Sequence, residues 1–308
     1  MTQLALCMVI KDEVNHIAGC LEPIIDLLDS VVIIDTGSTD GTQDLLKQKF
    51  GITPLSGKLT ADRCFCKSDV RNAAFKNVET PWILSLDADE RIGRDALERF
   101  LRMRHPESTM GYFGTWVNHV DGAEPFEDYK LFLFRKGARK RGLIHENVQV
   151  DIRSRNQRAA WLDGLSVQHY PERSKHATKT AFYRQRLECA LRNEPDWYRY
   201  YWFLGYMDYC ARHWDEALAH LDKAASSNSP LFPVECLNSC MVMAEIYAQL
   251  GQQRELAHTL DQALAFYREV RGDFEVQINR RLLPWFTVAR EHCRKGELES
   301  IKAYRFAR

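Results

Sequence analysis

Residues 82–90 read Trp-Ile-Leu-Ser-Leu-Asp-Ala-Asp-Glu, an apolar run that ends in three carboxylates. The run Trp82–Leu86 is typical of a buried strand. Because desolvating an unpaired carboxylate costs several kcal/mol, either a cation or open water must meet the end of this strand. Asp87 and Asp89 alternate along an extended chain and can point to the same side, an arrangement that suits Mg²⁺ or Mn²⁺ shared with substrate phosphates. The alternative is a solvated strand end in which Asp89 and Glu90 begin the next helix.

The composition is that of a soluble globular protein, with 308 residues, 45% hydrophobic and 27% charged. Basic and acidic residues number 42 each, so no net charge favours nucleic acid or a membrane. The nine cysteines lack the spacing of a disulfide framework, and the N-terminus lacks a charged leader. No apolar run reaches the roughly 18–20 residues of a membrane span. We therefore expect no nucleic-acid partner, no integral membrane segment, and a location in the cytoplasm or at the inner face of the membrane.

The N-terminal half alternates strands with helices, an order that predicts a mostly parallel α/β sheet. The predicted strands are Leu4–Ile10, Val31–Asp35 and Trp82–Leu86, and the predicted helices are Asn15–Leu28, Asp40–Phe50, Ser68–Asn77 and Arg94–Arg104. In open α/β sheets, ligands bind beyond the carboxyl ends of the strands. The charged residues at such ends are Lys11, Asp12, Glu13, Asp35, Asp87 and Asp89.

The pattern changes twice further along the chain. Short strands are predicted at Tyr112–Val117, Lys130–Arg135 and Val148–Ile152, as an antiparallel extension of the sheet. From about Lys175 the chain is helical, with tetratricopeptide-like spacing in two copies and a partial third unit over Ile278–Lys295. We predict an α/β domain at 1–175 and a helical repeat domain at 176–308. The repeats either bind a protein partner or a second copy, or they only stabilise the first domain.

Five segments, taken together, resemble the family 2 glycosyltransferases with a GT-A fold. They are Cys7–Glu13, Ile34–Thr42, Arg71-Asn72, Asp87–Glu90 and His145-Glu146. The Asp-Thr-Gly-Ser-Thr-Asp-Gly-Thr run that starts at Asp35 is the most specific of them. The subgroup with added tetratricopeptide repeats, which includes lipopolysaccharide-core glucosyltransferases and bacteriocin S-glycosyltransferases, is the most similar. The resemblance implies a GT-A fold, Rossmann-like with a mostly parallel sheet.

The resemblance also implies a donor and a cofactor: a UDP-sugar with Mn²⁺ or Mg²⁺. It assigns the nucleotide to Met8, Ile10, Glu13, Asp35, Ser38, Arg71, Asn72, Asp87 and Ala88, and the metal to Asp89, Asp87 and His169. In this scheme Asp35 accepts the imide N–H of uracil. Ser38 is alternatively a helix cap, Arg71 a salt-bridged surface residue, and His169 a structural residue.

An inverting transfer needs a base that deprotonates a hydroxyl or thiol acceptor, here a glycan, a lipopolysaccharide core or a peptide. The resemblance assigns this role to Glu146. Family members usually carry Glu-Asp in this region, so Asp128 and His145 stay as alternatives. The apolar pair Leu143-Ile144 precedes Glu146, and we expect partial burial to raise the pKa of its carboxyl group.

Two other functions compete with this one. A nucleotidyltransferase would carry a glycine-rich loop after the first strand, and Lys11–Asn15 contains no glycine. A non-catalytic repeat scaffold with a relic α/β domain would have no reason to keep Asp87, Asp89 and Glu146.

Overall fold

The computed structural model describes residues 2–119, 124–171, 176–270, 281–304 and 306. The chain divides into two compact units, Met1–Thr180 with Phe306–Arg308, and Ala181–Arg305. The first is built around a mixed β-sheet, and the second is helical.

The sheet of the first unit carries the functional residues at its strand ends. Its strands are Leu4–Ile10 (β1), Ser30–Asp35 (β2), Leu55–Ser56 (β3), Trp82–Ser85 (β4), Glu90–Ile92 (β5), Thr109–Asn118 (β6), Phe126–Arg135 (β7) and Arg158–His169 (β8). Their order in the sheet is β3-β2-β1-β4-β7-β6-β8-β5. The first four of this order are parallel, and β7 runs antiparallel to both β4 and β6. This confirms the predicted α/β sheet with an antiparallel extension.

The helices before residue 170 flank this sheet. They are Ile17–Leu21 (α1), Thr42–Phe50 (α2), Ser68–Lys76 (α3), Arg94–Arg102 (α4) and Val148–Ser154 (α5). The prediction of one long helix over Asn15–Leu28 was wrong, because α1 ends before Pro23 and a short 3-10 turn follows at Ile25–Leu27. Proline has no amide hydrogen and its ring clashes with the carbonyl of the preceding turn, so it interrupts a helix.

Two further segments differ from the sequence prediction. Val148–Ile152 was predicted as a strand but lies in α5, whose start is fixed by Asn147: its side chain accepts a hydrogen bond from the Gln149 amide at 2.6 Å. Glu90, expected as a possible helix start, begins β5 instead, and α4 starts only at Arg94. Strands β3, β5 and β8 were not predicted.

The core of this unit lies between the sheet and its helices. β1 is buried over its full length. The largest buried side chains of the core include Trp82, Phe100 and Phe132. Burial on both faces explains why β1 reads as a continuous apolar run without alternation. A β-bulge between Phe113 and Thr115 brings Gly114 of β6 close to β8. A Cβ added at Gly114 would lie 2.6 Å from Cγ of Leu165 and 2.7 Å from its carbonyl oxygen.

The helical unit consists of packed helix pairs with tetratricopeptide-like spacing, as predicted. Beyond His176–Asn193 (α6), its helices are Arg199–Cys210 (α7), Trp214–Ser226 (α8), Pro233–Gln249 (α9), Gln253–Val270 (α10) and Leu283–Lys295 (α11). Gly205 lets α7 approach α8, since a Cβ there would lie 2.6 Å from Cγ of Leu221. The predicted third unit starts at Ile278, and residues 278–280 lie outside the described residues. Within the described ranges, no helix has the length and apolar character needed to cross a membrane.

We predict that Gly114→Ala lowers the free energy of unfolding of the first unit by about 1–3 kcal/mol, because the added methyl group overpacks the contact between β6 and β8. Urea unfolding followed by tryptophan fluorescence measures the change. Gly93→Ala is the matched control, since its Cβ would meet no atom within 4 Å and its φ of −67° suits alanine. An equal effect of the two substitutions would contradict this account of the bulge.

Candidate functional site

The loops after β1 and β2 are tied together by side chains from the segment Asp35–Thr42. The Ser38 hydroxyl accepts a hydrogen bond from the Asp12 amide at 2.9 Å, and the Thr42 hydroxyl accepts one from the Glu13 amide at 2.9 Å. Oδ1 of Asp12 also accepts a hydrogen bond from the Thr39 amide at 2.8 Å. These bonds fix the two loops as one structure beyond the carboxyl ends of two neighbouring parallel strands, where ligands bind in open α/β sheets.

Asp35 is the last residue of β2, and only one of its two carboxylate oxygens accepts hydrogen bonds. Its Oδ1 accepts the amides of Gly37 and Ser38 at 2.7 and 2.8 Å, in a turn that needs the φ of 107° at Gly37. Oδ2 is buried and makes no hydrogen bond. Burial alone would raise the pKa of Asp35, but hydrogen bonds from Ser38 and Gly37, together with the nearby Gln43 side chain, hold it below its usual value, and no donor makes a hydrogen bond to Oδ2. A buried, ionised oxygen of this kind is suited to accept an N–H group from a ligand.

Arg71 of α3 joins two carboxylates that come from distant parts of the chain. Its Nη2 lies 2.6 Å from Oδ1 of Asp87, and its Nη1 lies 3.0 Å from Oε1 of Glu146. Only 13% of the Arg71 side chain and 10% of the Glu146 side chain is exposed. Because its side chain is this deeply buried, Arg71 is not the salt-bridged surface residue that the sequence allowed as an alternative.

The pKa of Glu146 moves in the opposite direction to the one expected from its apolar neighbours. Burial raises it, but the positive charges of Arg71 and Lys140 lower it to about 2. Two backbone hydrogen bonds between Arg141 and Asn147 close the turn that carries Glu146. Asn72 holds the start of this turn, because its amide group donates to the Lys140 carbonyl at 3.0 Å and accepts the Lys140 amide at 2.8 Å. Asn72 therefore contacts protein backbone where a nucleotide contact was predicted.

Lys130 of β7 and Glu90 of β5 extend this charge network. Nζ of Lys130 lies 2.5 Å from Oε1 of Glu90 and 3.8 Å from Oδ2 of Asp87. Oε2 of Glu90, which is fully buried, accepts the Asp87 amide at 2.9 Å. Burial raises the pKa of Asp87, but Arg71 and Lys130 lower it far below the usual carboxyl range. Asp87 would have to leave these two cations to reach a metal ion.

Asp89 points to a different partner from Asp87. β4 and β5 are consecutive in the chain but not neighbours in the sheet, so the link between them reaches both β7 and β8. Asp87 contacts Lys130 of β7, whereas Oδ2 of Asp89 lies 3.3 Å from Nε2 of His169, the last residue of β8. The structure thus brings together Asp89 and His169, two of the three predicted metal ligands.

A carboxylate beside an imidazole nitrogen suits Mn²⁺ and, for the oxygen ligand, Mg²⁺. No cluster of three or more His, Cys, Asp or Glu side chains able to hold a metal occurs in the part of the chain that the structure describes. The donor set nevertheless fits a divalent cation that completes its coordination with phosphate oxygens and water. A site that needs the substrate to supply ligands is incomplete in the protein alone.

The other predicted residues are placed as follows. The side chains of Met8, Ile10 and Ala88 belong to the hydrophobic core, so only their backbone can contact a ligand. Glu13 lies at the site edge, with Oε2 3.1 Å from Nδ1 of His16. His145 has a positive φ of 50° in the turn before Glu146.

Asp128, an alternative base, pairs with Trp116 across β6 and β7, so both side chains lie on the same sheet face. The sequence alone did not predict a role at the site for Lys130, Asn118 or Trp116. The one feature of the sequence that could have indicated Lys130 is its charge directly before the apolar run Leu131–Phe134 of β7.

Comparison with known proteins gives one family and several distant structures. The model of the family described as glycosyl transferase family 2 matches residues 5–159. A TPR repeat-containing protein of Synechococcus elongatus is 27% identical over 207 residues, which are 64% of this chain and 50% of that protein. The chain thus spans about half the length of the curated relative it matches.

Two solved structures are similar to this chain at low TM-scores. One is glucosyl-3-phosphoglycerate synthase from Mycobacterium tuberculosis in complex with Mn²⁺, UDP-glucose and phosphoglyceric acid, at 13% identity and a TM-score of 0.42, covering 62% of this chain and 79% of that chain. The other is S. aureus TarS 1-349, at 13% identity and a TM-score of 0.38, covering 99% of this chain and 94% of that chain.

We predict that Arg71→Met lowers the free energy of unfolding by about 3 kcal/mol at neutral pH, because it leaves Glu146 and Asp87 without their shared cation. The folded pKa of Glu146, about 2, lies below the ordinary value of about 4.3. The ion pair therefore stabilises the fold above about pH 4.3, and this contribution is lost as the pH falls toward about 2. The difference in the free energy of unfolding between wild type and variant, measured by urea unfolding, should therefore decrease as the pH is lowered through that range.

Arg63→Met is the matched control, since Arg63 and Asp69 form an exposed ion pair worth less than about 1 kcal/mol. A loss for Arg71→Met that does not change between pH 7 and pH 3 would show that packing of the guanidinium, and not its charge, accounts for the effect.

Proposed function

The chain belongs to glycosyl transferase family 2, and from that premise we propose that this glycosyltransferase moves a hexose from a UDP-sugar to a hydroxyl or thiol acceptor. The observation that carries the proposal is the buried, unbonded Oδ2 of Asp35 at the carboxyl end of β2. An ionised oxygen excluded from water is costly unless a ligand donates a hydrogen bond to it. The imide N–H of uracil is a donor of the required kind.

The diphosphate of the donor lies, in this proposal, between Asp35 and the Asp89–His169 pair. Asp89 and His169 would hold Mn²⁺ or Mg²⁺, which when bound neutralises charge on the departing diphosphate. Asp87 contributes by holding Arg71 and Lys130 at the same place. Lys140 adds a further buried cation, and burial together with the charge of Arg71 lowers its pKa to about 8. The site therefore offers several cations to one polyanionic leaving group.

We assign the base of an inverting transfer to Glu146, with Asp128 and His145 as the alternatives. A carboxylate with a pKa of about 2 is a weak base while it is paired with Arg71. An incoming diphosphate competes with Glu146 for the Arg71 guanidinium. A buried carboxylate that loses its cation becomes more basic, which would couple donor binding to activation of the acceptor.

The acceptor, in this proposal, is a glycan, a lipopolysaccharide core or a peptide that is glycosylated in the cytoplasm or at the inner face of the membrane. We propose that residues 1–175 carry the catalytic chemistry and that the repeats of 176–308 contact the acceptor, another protein or a second copy. Tetratricopeptide-like repeats present surfaces that commonly bind peptides or proteins.

The experiment is a titration of UDP by calorimetry, with Mn²⁺ and with a chelator, on wild type and three variants. We expect tight binding only with Mn²⁺, loss of that metal dependence in Asp89→Ala, and unchanged binding in Asp95→Ala, an exposed helical control. Asp35→Asn should weaken UDP roughly 10- to 100-fold, the worth of a charge-assisted hydrogen bond, while pyrophosphate binding stays the same. UDP binding that does not depend on Mn²⁺ would refute the metal site at Asp89. Equal weakening of UDP and pyrophosphate by Asp35→Asn would refute the uracil contact of Asp35.

A further inference from the structure

We infer that Asn118 is a positioning residue, which fixes the tautomer and orientation of His169 so that Nε2 faces Asp89 ready for a divalent cation. The inference deepens the proposed function and rests on it for the identity of the cation. Asn118 lies within residues 5–159, which the family model matches, but outside the five sequence segments that carry the resemblance.

Asn118 is placed next to His169 by the register of the sheet. It is the last residue of β6, pairs with His169 at the end of β8, and is 2% exposed. Its Oδ1 lies 2.8 Å from Nδ1 of His169, and its Nδ2 donates to the Trp116 carbonyl at 3.3 Å. The second bond decides which way the amide group points, because only the nitrogen end can donate to a carbonyl.

The orientation of the amide group determines where the imidazole proton sits. Since Oδ1 of Asn118 can only accept, Nδ1 of His169 must donate and therefore carries the hydrogen. In the neutral ring the lone pair is then on Nε2, the atom that lies 3.3 Å from Oδ2 of Asp89. Two electron-pair donors thus face each other across a short gap, and a cation bound to both relieves their repulsion.

The surroundings keep this geometry rigid. The ring of Trp116 packs on that of His169, with centroids 4.7 Å apart. The backbone of His169 accepts the His119 amide at 3.0 Å, and the Tyr170 amide donates to the Asp89 carbonyl at 2.9 Å. Partners that orient a metal-binding histidine through its other ring nitrogen typically contribute about 10- to 100-fold in metal affinity.

The test measures Mn²⁺ affinity by calorimetry on the full chain in the presence of saturating UDP. Asn118→Leu removes the acceptor and should weaken Mn²⁺ about 10- to 100-fold, whereas Asn118→Asp keeps an acceptor for Nδ1 and should retain affinity within a few-fold. Asn118→Ser, too short to reach the ring, serves in place of the leucine variant if that does not fold. Asn77→Ala, an exposed helix-end asparagine, is the control and should bind Mn²⁺ like wild type.

A second readout needs no variant: the ¹⁵N chemical shifts of the His169 ring in metal-free wild type should show Nδ1 protonated. Folded Asn118→Leu or Asn118→Ser that binds Mn²⁺ as tightly as wild type, or a ring with unprotonated Nδ1, would overturn the inference. If wild type itself binds no Mn²⁺, the metal part of the proposed function fails, and the ring shifts then decide alone whether Asn118 sets the tautomer.

Discussion

The ion pairs of Arg71 with Asp87 and Glu146 are the interaction on which the site depends. They join α3, the link after β4 and the turn after β7, three segments that are far apart in the sequence. The Glu146 side chain is only 10% exposed, so its charge without a cation would cost several kcal/mol, whereas Asp87 is partly exposed. The same interaction that fixes these segments therefore sets the ionisation of both acids, and it gives the site a cation that a diphosphate can compete for.

The sheet explains why these side chains meet at all. Parallel strands end at one edge, so Asp35 at the end of β2 and Asp87 after β4 share that edge. The antiparallel extension adds what parallel strands alone do not provide: Lys130 from β7, and Asn118 beside His169 from β6 and β8. The nucleotide side of the proposed mechanism thus belongs to the parallel half of the sheet. The metal and acceptor side belongs to the extension.

Sequence reasoning predicted the part of the fold that depends on local pattern. The strand–helix order and the strand-end acids followed from apolar runs that end in charges. The prediction for Val148–Ile152 was wrong. Apolar and polar residues alternate there as in a strand, but the cap at Asn147 and the tertiary contacts stabilise a helix. Sequence reasoning also missed the low pKa of Glu146 and the contact of Asn118 with His169. Both depend on which distant residues become neighbours, and spacing along the chain does not encode that.

The most direct measurement is a crystal structure of the protein with UDP and Mn²⁺. Our expectation is that Oδ2 of Asp35 accepts a hydrogen bond from the uracil N–H, that Asp89 and Nε2 of His169 coordinate the metal, and that Arg71 contacts the diphosphate in place of Glu146. A nucleotide bound away from the carboxyl ends of β1, β2 and β4, or a metal bound without Asp89 and His169, would contradict it.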